Sequence, residues 1–306
     1  MPRLLPPLLL ALAACRATPP GPAPLAFPGD STHREMVAQF RSTREAFLRS
    51  SASPFTLVTV CRVPIATLPS PVGTTRNAAC RVSGDSTSAP LGTLVAHGDS
   101  LRLDGEGLLW VGAKAAREAR LLARRDHPEV DGAAAWQGAV RISARWSGST
   151  ATVAITDTLE PRRATFAGVA TWPTDRQWWL PARFTPREPT WRERATVRDF
   201  TAPWEEIGTL HVVHDGTSHD LTVFRAGPRS PTMLVVFGDA TNGRGSYPAG
   251  RFLDVPRPDS LGRTVVDFNL ARNPDCAFSP ASPCPLPPPG NRLPLAIPAG
   301  ERAPER

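Results

Sequence analysis

The stretches Val140-Arg-Ile-Ser-Ala-Arg-Trp146 and Ala151-Thr-Val-Ala-Ile155 show the sequence pattern that decides the fold. In each stretch apolar and polar side chains alternate, which is the pattern of a strand with one buried face and one solvent-facing face. The turn-forming pair Ser147-Gly148 separates the two stretches at hairpin spacing. Together they predict two antiparallel strands joined by a short turn.

The same period of two recurs between residues 56 and 266. Alternating segments span residues 56–60, 91–95, 101–103, 210–213 and 221–224, residues 233–237 are continuously apolar, and residues 262–266 lead into a further strand. Proline accounts for 35 of the 306 residues, and it disfavours helices because it has no N–H to donate. The sequence therefore predicts a mainly β protein, an antiparallel sandwich or barrel-like body over residues 54–306.

One amphipathic helix is predicted within residues 31–53, at about 32–50. Thr32-His-Arg-Glu35 has the form of a capping box, and Ser53-Pro54 marks the end of the helical pattern. The apolar residues at helical spacing are Met36, Val37, Phe40, Phe47 and Leu48. We expect this stripe to pack against the core.

The N-terminus has the pattern of an export signal. Met1-Pro2-Arg3 is positively charged, residues 4–14 form a short apolar run, and Leu12-Ala-Ala-Cys15 resembles the lipobox of bacterial lipoproteins. The apolar run is shorter than the ~20 residues that a membrane-spanning helix needs. We expect residues 1–14 to be a signal peptide, Cys15 to be lipidated, and the proline-rich residues 15–30 to tether the body. The predicted location is the cell envelope, where the lipid inserts into the membrane.

Export permits the other four cysteines to form disulfides. Cys61, Cys80, Cys276 and Cys284 can pair in three ways, of which Cys61–Cys80 with Cys276–Cys284 closes the shortest loops. Zinc is a weaker alternative, because neither spacing resembles the short ligand spacing of a structural zinc site. We predict two disulfides and no metal site.

The net charge of +7 and the isoelectric point near 10.0 raise the question of nucleic acid. The arginines are interleaved with acidic residues, as in Arg117-Glu-Ala-Arg120, and no run of five like charges appears. No ladder of aromatic residues of the single-strand-binding kind is present either. The sequence therefore does not predict a nucleic-acid partner.

The polar residues that follow the apolar stretch 233–237 are the candidate site. They combine acceptors, neutral donors and one guanidinium, and they include Tyr247, the single tyrosine of the chain. Such a set favours a small polar or anionic ligand, with Arg251 as the fork for a carboxylate. The candidate ligand-binding residues are Asp239, Thr241, Tyr247, Arg251, Asp267, Asn269 and Asn273.

Two alternatives remain for these residues. In a hydrolase, Asp239 or Asp267 would act as general base while Arg251 stabilises negative charge. In a structural adaptor of the envelope, the same residues would only lock the loops, with Arg251 paired to Asp254 or Asp267. The sequence predicts no cofactor and leaves open whether the protein is an enzyme.

Two further patterns concern tryptophan and histidine. Trp172, Trp178, Trp179, Trp191 and Trp204 could form a sugar-binding platform, although packing on a twisted sheet is the stronger expectation. His211 and His214 have opposite strand parity, so they should not bind one metal ion together. The last proline-rich part of the chain, residues 274–298, is predicted to be an irregular cap.

Several C-terminal blocks resemble one bacterial and archaeal family of unknown function, number sixteen-eighty-four of the domains of unknown function. They are Gly238-Asp-Ala-Thr-Asn-Gly, Ser246-Tyr-Pro-Ala-Gly-Arg-Phe-Leu-Asp254, Val266-Asp-Phe-Asn-Leu-Ala-Arg-Asn-Pro-Asp-Cys276, Cys284-Pro-Leu-Pro-Pro-Pro-Gly-Asn-Arg-Leu293 and Ile297-Pro-Ala-Gly-Glu301. The signature lies within residues 234–302, and the resemblance extends from about residue 90 to 302. It implies a strand over residues 117–126, where helix propensity alone left the structure open.

The resemblance ends upstream, where residues 55–88 replace the segment usual after the family's first helix. These residues contribute Cys61 and Cys80, which supports the pairing of these two cysteines with each other. The resemblance implies no established activity.

Overall fold

The structure, a computed structural model, describes residues 23–82, 90–112, 114, 117, 120–124, 133–198, 201–227 and 230–305. The predicted signal peptide, Cys15 and the first part of the predicted tether lie outside these residues. No helix among the described residues is long and apolar enough to cross a membrane.

The first half of the described chain forms two five-stranded sheets. One sheet has the strand order β1-β10-β9-β8-β6 and the other the order β3-β2-β4-β5-β7. Their strands are β1 (Leu57–Pro64), β2 (Ser70–Gly73), β3 (Cys80–Arg81), β4 (Pro90–His97), β5 (Ser100–Asp104), β6 (Leu109–Val111), β7 (Leu121–Arg124), β8 (Ala134–Gln137), β9 (Val140–Ser147) and β10 (Thr150–Asp157). The hairpin predicted from the opening stretches is confirmed, with Ser147 opposite Thr150.

The two sheets pack face to face as a sandwich. The alternating apolar residues of β9 and β10 point inward, and Ile142, Val153 and Ile155 are fully buried against Leu94 and Leu101 of the facing sheet. A disulfide between Cys61 on β1 and Cys80 on β3 joins the sheets. This pairing, predicted from the sequence, is present in the structure.

The second half forms one six-stranded sheet of order β15-β14-β13-β12-β11-β16. Its strands are β11 (Trp179–Ala195), β12 (Thr201–His214), β13 (Thr217–Arg225), β14 (Thr232–Phe237), β15 (Arg251–Pro256) and β16 (Arg263–Asp267). The sheet nearly closes into a barrel because its end strands meet: the Thr264 hydroxyl donates to the Pro256 carbonyl oxygen at 2.7 Å. Its interior is a separate hydrophobic core around Leu210, Val235 and Phe237. The predicted mainly β fold is therefore confirmed.

Three strand expectations need correction. The polar segment around Arg251 contains β15, because Phe252, Leu253 and Val255 fill both faces of a buried strand. The 17-residue β11 carries prolines, which concealed it. Among the described residues of the range 117–126, the expected strand is present at Leu121–Arg124, whereas Arg117 is helical.

The predicted helix is present as α1 (Asp30–Arg49), which begins before Thr32. The proposed capping box is wrong, because Gly29 occupies the N-cap and no side chain caps the helix. Met36 and Phe47 are exposed rather than packed in the core. The buried face instead consists of His33, Val37, Arg44 and Leu48. The helix therefore docks through polar as well as apolar groups.

The proline-rich C-terminal segment covers one face of the barrel as the predicted irregular cap. It runs in short 3-10 turns at Asp275–Ala277 and Pro289–Asn291. Cys276 and Cys284 pack there against Phe224 and Phe252. The structure contains them as free buried thiols, so the predicted disulfide between them is absent. Cys284 Sγ instead accepts a hydrogen bond from the Cys276 N–H at 2.8 Å.

Candidate functional site

The candidate residues Asp239, Thr241 and Arg251 form one buried network where β14 ends and β15 begins. Arg251 is fully buried, and its Nη2 donates to Asp239 Oδ2 at 2.7 Å and to the Ile297 carbonyl oxygen at 2.9 Å. Its Nη1 donates to the Ala299 carbonyl oxygen. Asp239 Oδ1 accepts from the Thr241 N–H at 2.7 Å and from the Thr241 hydroxyl at 2.5 Å.

The charges of this network are balanced inside the protein. Burial lowers the pKa of Arg251, and the neighbouring Asp239 carboxylate opposes that shift. The guanidinium also lies over the rings of Trp172 and Phe237, at 5.4 and 5.1 Å. Its Nε makes no hydrogen bond to a described residue. Arg251 is thus engaged by Asp239 and two backbone carbonyls, rather than by Asp254 or Asp267 as the structural alternative supposed.

Asp267 and Asn269 form a second network, which holds the start of α1. Asp267 Oδ2 lies 2.8 Å from His33 Nε2, and Asp267 Oδ1 accepts from the Asn269 N–H at 3.0 Å. The Asn269 side chain exchanges two hydrogen bonds of 2.9 Å with the backbone of Asp175. Both oxygens of the Asp267 carboxylate are therefore in use.

Asn273 belongs to a third network, which holds the end of α1. Its backbone N–H donates to Glu301 Oε2 at 2.7 Å, and its carbonyl oxygen accepts from Arg44 Nη2 at 3.0 Å. Arg44 Nε also donates to Glu301 Oε1 at 3.2 Å. Burial raises the pKa of Glu301, and the Arg44 charge counteracts this.

The Tyr247 backbone adjoins the first network, because Asn242 bonds both the Asp239 N–H and the Tyr247 carbonyl oxygen, but its side chain points to the cap. It is half-buried, and its hydroxyl donates to the Cys276 carbonyl oxygen at 3.0 Å. At Cys276 the hydrogen bond from Cys284 lowers the pKa of the thiol, whereas burial raises the pKa of Cys284. The tyrosine thus ties the loop before β15 to the C-terminal cap.

The seven predicted residues are therefore not gathered round one opening. Six are buried, and their polar groups bond mainly to each other, to α1 or to the backbone. A general base needs a carboxylate oxygen that can reach substrate, but the oxygens of Asp239 and Asp267 already accept internal hydrogen bonds. This arrangement favours neither the hydrolase nor an anion held by Arg251. These hydrogen bonds instead hold the loops in fixed positions.

The two histidines singled out in the sequence also have partners, whereas Trp191, one of the five tryptophans singled out, is exposed. His211 lies 2.6 Å from Asp220, on the neighbouring strand, and 3.0 Å from Thr185. His214 stacks on the buried Trp178 ring. In the described part of the chain, no three metal-ligating side chains come together.

One cavity, of about 660 Å³, lies between α1, the loop 165–170 and the C-terminal residues. Its aromatic wall consists of Phe55, Phe166 and Phe278, whose ring centroids lie 5.3 to 6.3 Å from one another. Its charged groups are largely paired internally: Glu45 with Arg49 at 3.0 Å, and Arg162 with Glu160 at 2.6 Å. None of the seven predicted residues lines it.

A second cavity, hereafter the groove, has a volume of about 500 Å³. Its floor is the outer face of the β1-β10-β9-β8-β6 sheet, with Trp136, Arg141 and Thr156. One wall is the segment that follows α1, including Ser51, and Asp275 contributes from the cap. The volume lies within the ~300–1,000 Å³ usual for ligand sites. None of the seven predicted residues lines the groove either.

The floor residues form a row across three strands. Trp136 on β8 is the cross-strand partner of Arg141 on β9, and Arg141 is the partner of Thr156 on β10. Cross-strand partners point to the same side of a sheet. The adjacent row, Ala135, Ile142 and Ile155, is fully buried in the sandwich, so the row from Trp136 to Thr156 points outward.

These floor groups are available to a ligand. Among the described residues, the Arg141 side chain has no hydrogen bond or ion pair, and the Trp136 ring has no aromatic partner. The side chains of Ser51 and Thr156 likewise make no hydrogen bond there. The groove differs in this from the seven predicted residues, whose polar groups are for the most part already bonded.

Sequence reasoning missed Trp136 and Arg141. The signal lay in Trp136-Gln-Gly-Ala-Val-Arg141, where a turn at Gly138 places the two side chains opposite each other. It also missed His33 and Arg44 on the buried face of α1. Together with Val37 and Leu48 they are spaced at the helical period. In both cases polar residues occupy positions of the strand or helix pattern, whereas the patterns are recognised from their apolar residues.

The architecture is thus a β sandwich joined to a nearly closed six-stranded sheet with an irregular cap. Residues 164–302 match the family model described as "Protein of unknown function (DUF1684)", and the chain belongs to this family. The match begins at residue 164, not near residue 90 as the resemblance predicted. Apart from Asp275 in the cap, the groove is lined by residues that precede the matched segment.

Among solved structures, an uncharacterized protein of Haloarcula marismortui studied by solution NMR is 39% identical. The likeness covers 46% of this chain and 78% of that chain, with a TM-score of 0.39. No curated protein matches the chain.

Proposed function

We propose that this protein is a lipid-anchored protein of the cell envelope that binds a small polar or anionic ligand in the groove. The anchor is supported by the lipobox-like Leu12-Ala-Ala-Cys15 and the proline-rich residues that follow it. The observation that carries the binding proposal is the outward row of Trp136, Arg141 and Thr156, whose side chains have no hydrogen-bond or ring partners among the described residues.

The groove rather than the seven predicted residues is the proposed site, because a binding site needs groups that can exchange water for ligand. Arg251 would have to break its bonds with Asp239 and two carbonyls before it could bind an anion. Removing one partner of a buried ion pair costs about 3–5 kcal/mol. Arg141 faces no such cost, and its planar fork can hold a carboxylate through two parallel hydrogen bonds.

Ligand binding is tested by titrating the purified protein, from residue 16 onward, with a panel of small anions and neutral polar compounds by calorimetry. We expect at least one panel member to bind, and Arg141→Gln to weaken that binding about tenfold or more. Arg145→Gln is the matched control, because Arg145 lies on the same strand and is exposed but does not line the groove. Equal affinity of the Arg141 variant and the wild type for every ligand found would overturn the proposed site.

The anchor is tested separately in intact bacteria. We expect the wild-type protein to incorporate labelled fatty acid and to sediment with membranes, and Cys15→Ser to abolish both. A Cys15→Ser protein that remains labelled and membrane-bound would overturn the anchor without affecting the groove.

A further inference from the structure

The groove places charges of both signs around one aromatic ring. Arg141 and Trp136 lie on its floor, and Asp275 and Ser51 lie on its walls. The Asp275 side chain accepts no hydrogen bond from a described residue, although its charge acts on Arg272. A ligand that fits this groove must therefore supply an acceptor for Arg141, donors for Asp275 and an apolar face for Trp136.

These requirements distinguish between ligand classes. A compact inorganic anion suits Arg141 but offers no apolar face to Trp136 and no row of hydroxyl donors to Asp275. A purely apolar ligand would leave Arg141 and Asp275 desolvated without partners, at about 1–3 kcal/mol or more for each group. A neutral sugar satisfies Trp136 and Asp275 but leaves the guanidinium without an anion.

We infer that the groove binds an acidic sugar, a pyranose that carries a carboxylate, such as a uronic-acid residue of an envelope glycan. The inference rests on the proposed function, because it names the ligand class of the same groove. In this arrangement the C–H face of the pyranose stacks on the indole of Trp136, which presents a large apolar surface. The carboxylate pairs with Arg141, and the ring hydroxyls donate to Asp275 and exchange hydrogen bonds with Ser51 and Thr156.

The dimensions of the floor agree with this arrangement. Neighbouring strands lie about 4.8 Å apart, so Trp136 and Thr156, two strands apart, are separated by roughly 10 Å, with Arg141 between them. A pyranose over Trp136 thus has its substituents within reach of the guanidinium. The exposed Leu109, cross-strand partner of Trp136, extends the apolar surface on the far side of the ring.

The test uses trigalacturonate as the acidic sugar and maltotriose as the neutral sugar, with citrate and inorganic phosphate as anions that are not sugars. We expect calorimetry to show trigalacturonate binding at least tenfold more tightly than any other probe. Trp136→Ala and Arg141→Gln should each weaken that binding about tenfold or more, whereas Arg145→Gln leaves it within twofold. Asp275→Asn should weaken trigalacturonate binding while leaving phosphate binding unchanged or stronger.

Thermal unfolding of each variant verifies that it is folded, and Trp136→Phe provides a milder change that retains an aromatic face. Trp136→Phe should keep most of the affinity that Trp136→Ala loses. Binding of citrate or phosphate through Arg141, with no binding of trigalacturonate, would overturn the acidic sugar while leaving the proposed function intact. Trigalacturonate binding that is unchanged by both Trp136→Ala and Arg141→Gln, or the absence of trigalacturonate binding, would also overturn the inference.

Discussion

Replacing Arg251 by methionine tests whether the buried network is a structural lock. The guanidinium is fully buried and makes three hydrogen bonds, one to the Asp239 carboxylate and two to backbone carbonyls. Methionine fills most of the volume but leaves the carboxylate buried without its cation. Breaking a buried ion pair from one side costs about 3–5 kcal/mol, which is a large part of the ~5–15 kcal/mol that stabilises a typical domain.

The matched control is Arg263→Met on the same six-stranded sheet. Arg263 Nε donates to Asp259 Oδ2 at 2.7 Å, but the two side chains are 29% and 34% exposed, against 0% for both partners of the Arg251 pair. An exposed pair contributes about 0–1 kcal/mol because water screens it. The two variants therefore make the same chemical change in a fully buried ion pair and in a solvent-accessible one.

The measurement is urea unfolding followed by circular dichroism, which gives the free energy of unfolding for each protein. We expect Arg251→Met to lose about 3–5 kcal/mol and Arg263→Met no more than about 1 kcal/mol. Adding Asp239→Asn to Arg251→Met should recover part of the loss, because the uncompensated charge is gone. A loss below about 1 kcal/mol for Arg251→Met, or equal losses for the two arginine variants, would refute the reasoning.

Three further outcomes follow from the structure. Burial holds the pKa of Glu301 above its ordinary 4.5, so this group stabilises the folded state most at low pH, and its contribution falls as the pH rises from 4.5 through the raised pKa. Glu301→Gln should remove this part of the pH dependence of the free energy of unfolding, and identical pH profiles for variant and wild type would contradict the argument. Replacing Cys61 and Cys80 by serine should cost about 3 kcal/mol in urea unfolding, because their disulfide closes a loop with a sequence separation of 19, and reductant should destabilise only the wild type. Gly300→Ala should lower the melting temperature far more than Gly243→Ala, although both glycines have φ near +76°. A Cβ at Gly300 would lie 2.4 Å from the Ala271 carbonyl oxygen, whereas at Gly243 nothing lies within 4 Å. Equal losses in the two variants would show that backbone strain alone sets the change in melting temperature.

The sandwich could be predicted from the sequence because its strands are half-buried. In β10 the burial alternates residue by residue, so the apolar period of two appears directly in the sequence. The strand β15 could not be found in this way, because Arg251, Phe252 and Leu253 are buried in succession. An arginine in a fully buried position breaks the apolar run that would mark such a strand.

The site was harder to predict than the fold, for a related reason. Sequence shows which residues are polar and uncommon, but not whether their hydrogen bonds are made within the chain. Asp239 and Arg251 met every compositional criterion for a ligand site, and the fold pairs them with each other. Trp136 and Arg141 lie in an ordinary hairpin, and only the sheet register shows that they share the groove floor.

The buried networks and the groove are connected through α1. His33 and Arg44 bind Asp267 and Glu301, which lie in the segment matched by the family, so the helix is attached by charges rather than by apolar contact alone. Arg44 lies in the last turns of α1, which ends at Arg49, and Ser51 follows two residues after that end. The hydrogen bonds of Arg44 to Glu301 and Asn273 therefore fix the chain just before it forms the wall of the groove. A rigid wall opposite Trp136 and Arg141 lowers the entropy cost of the proposed ligand binding, so residues outside the groove still set its shape.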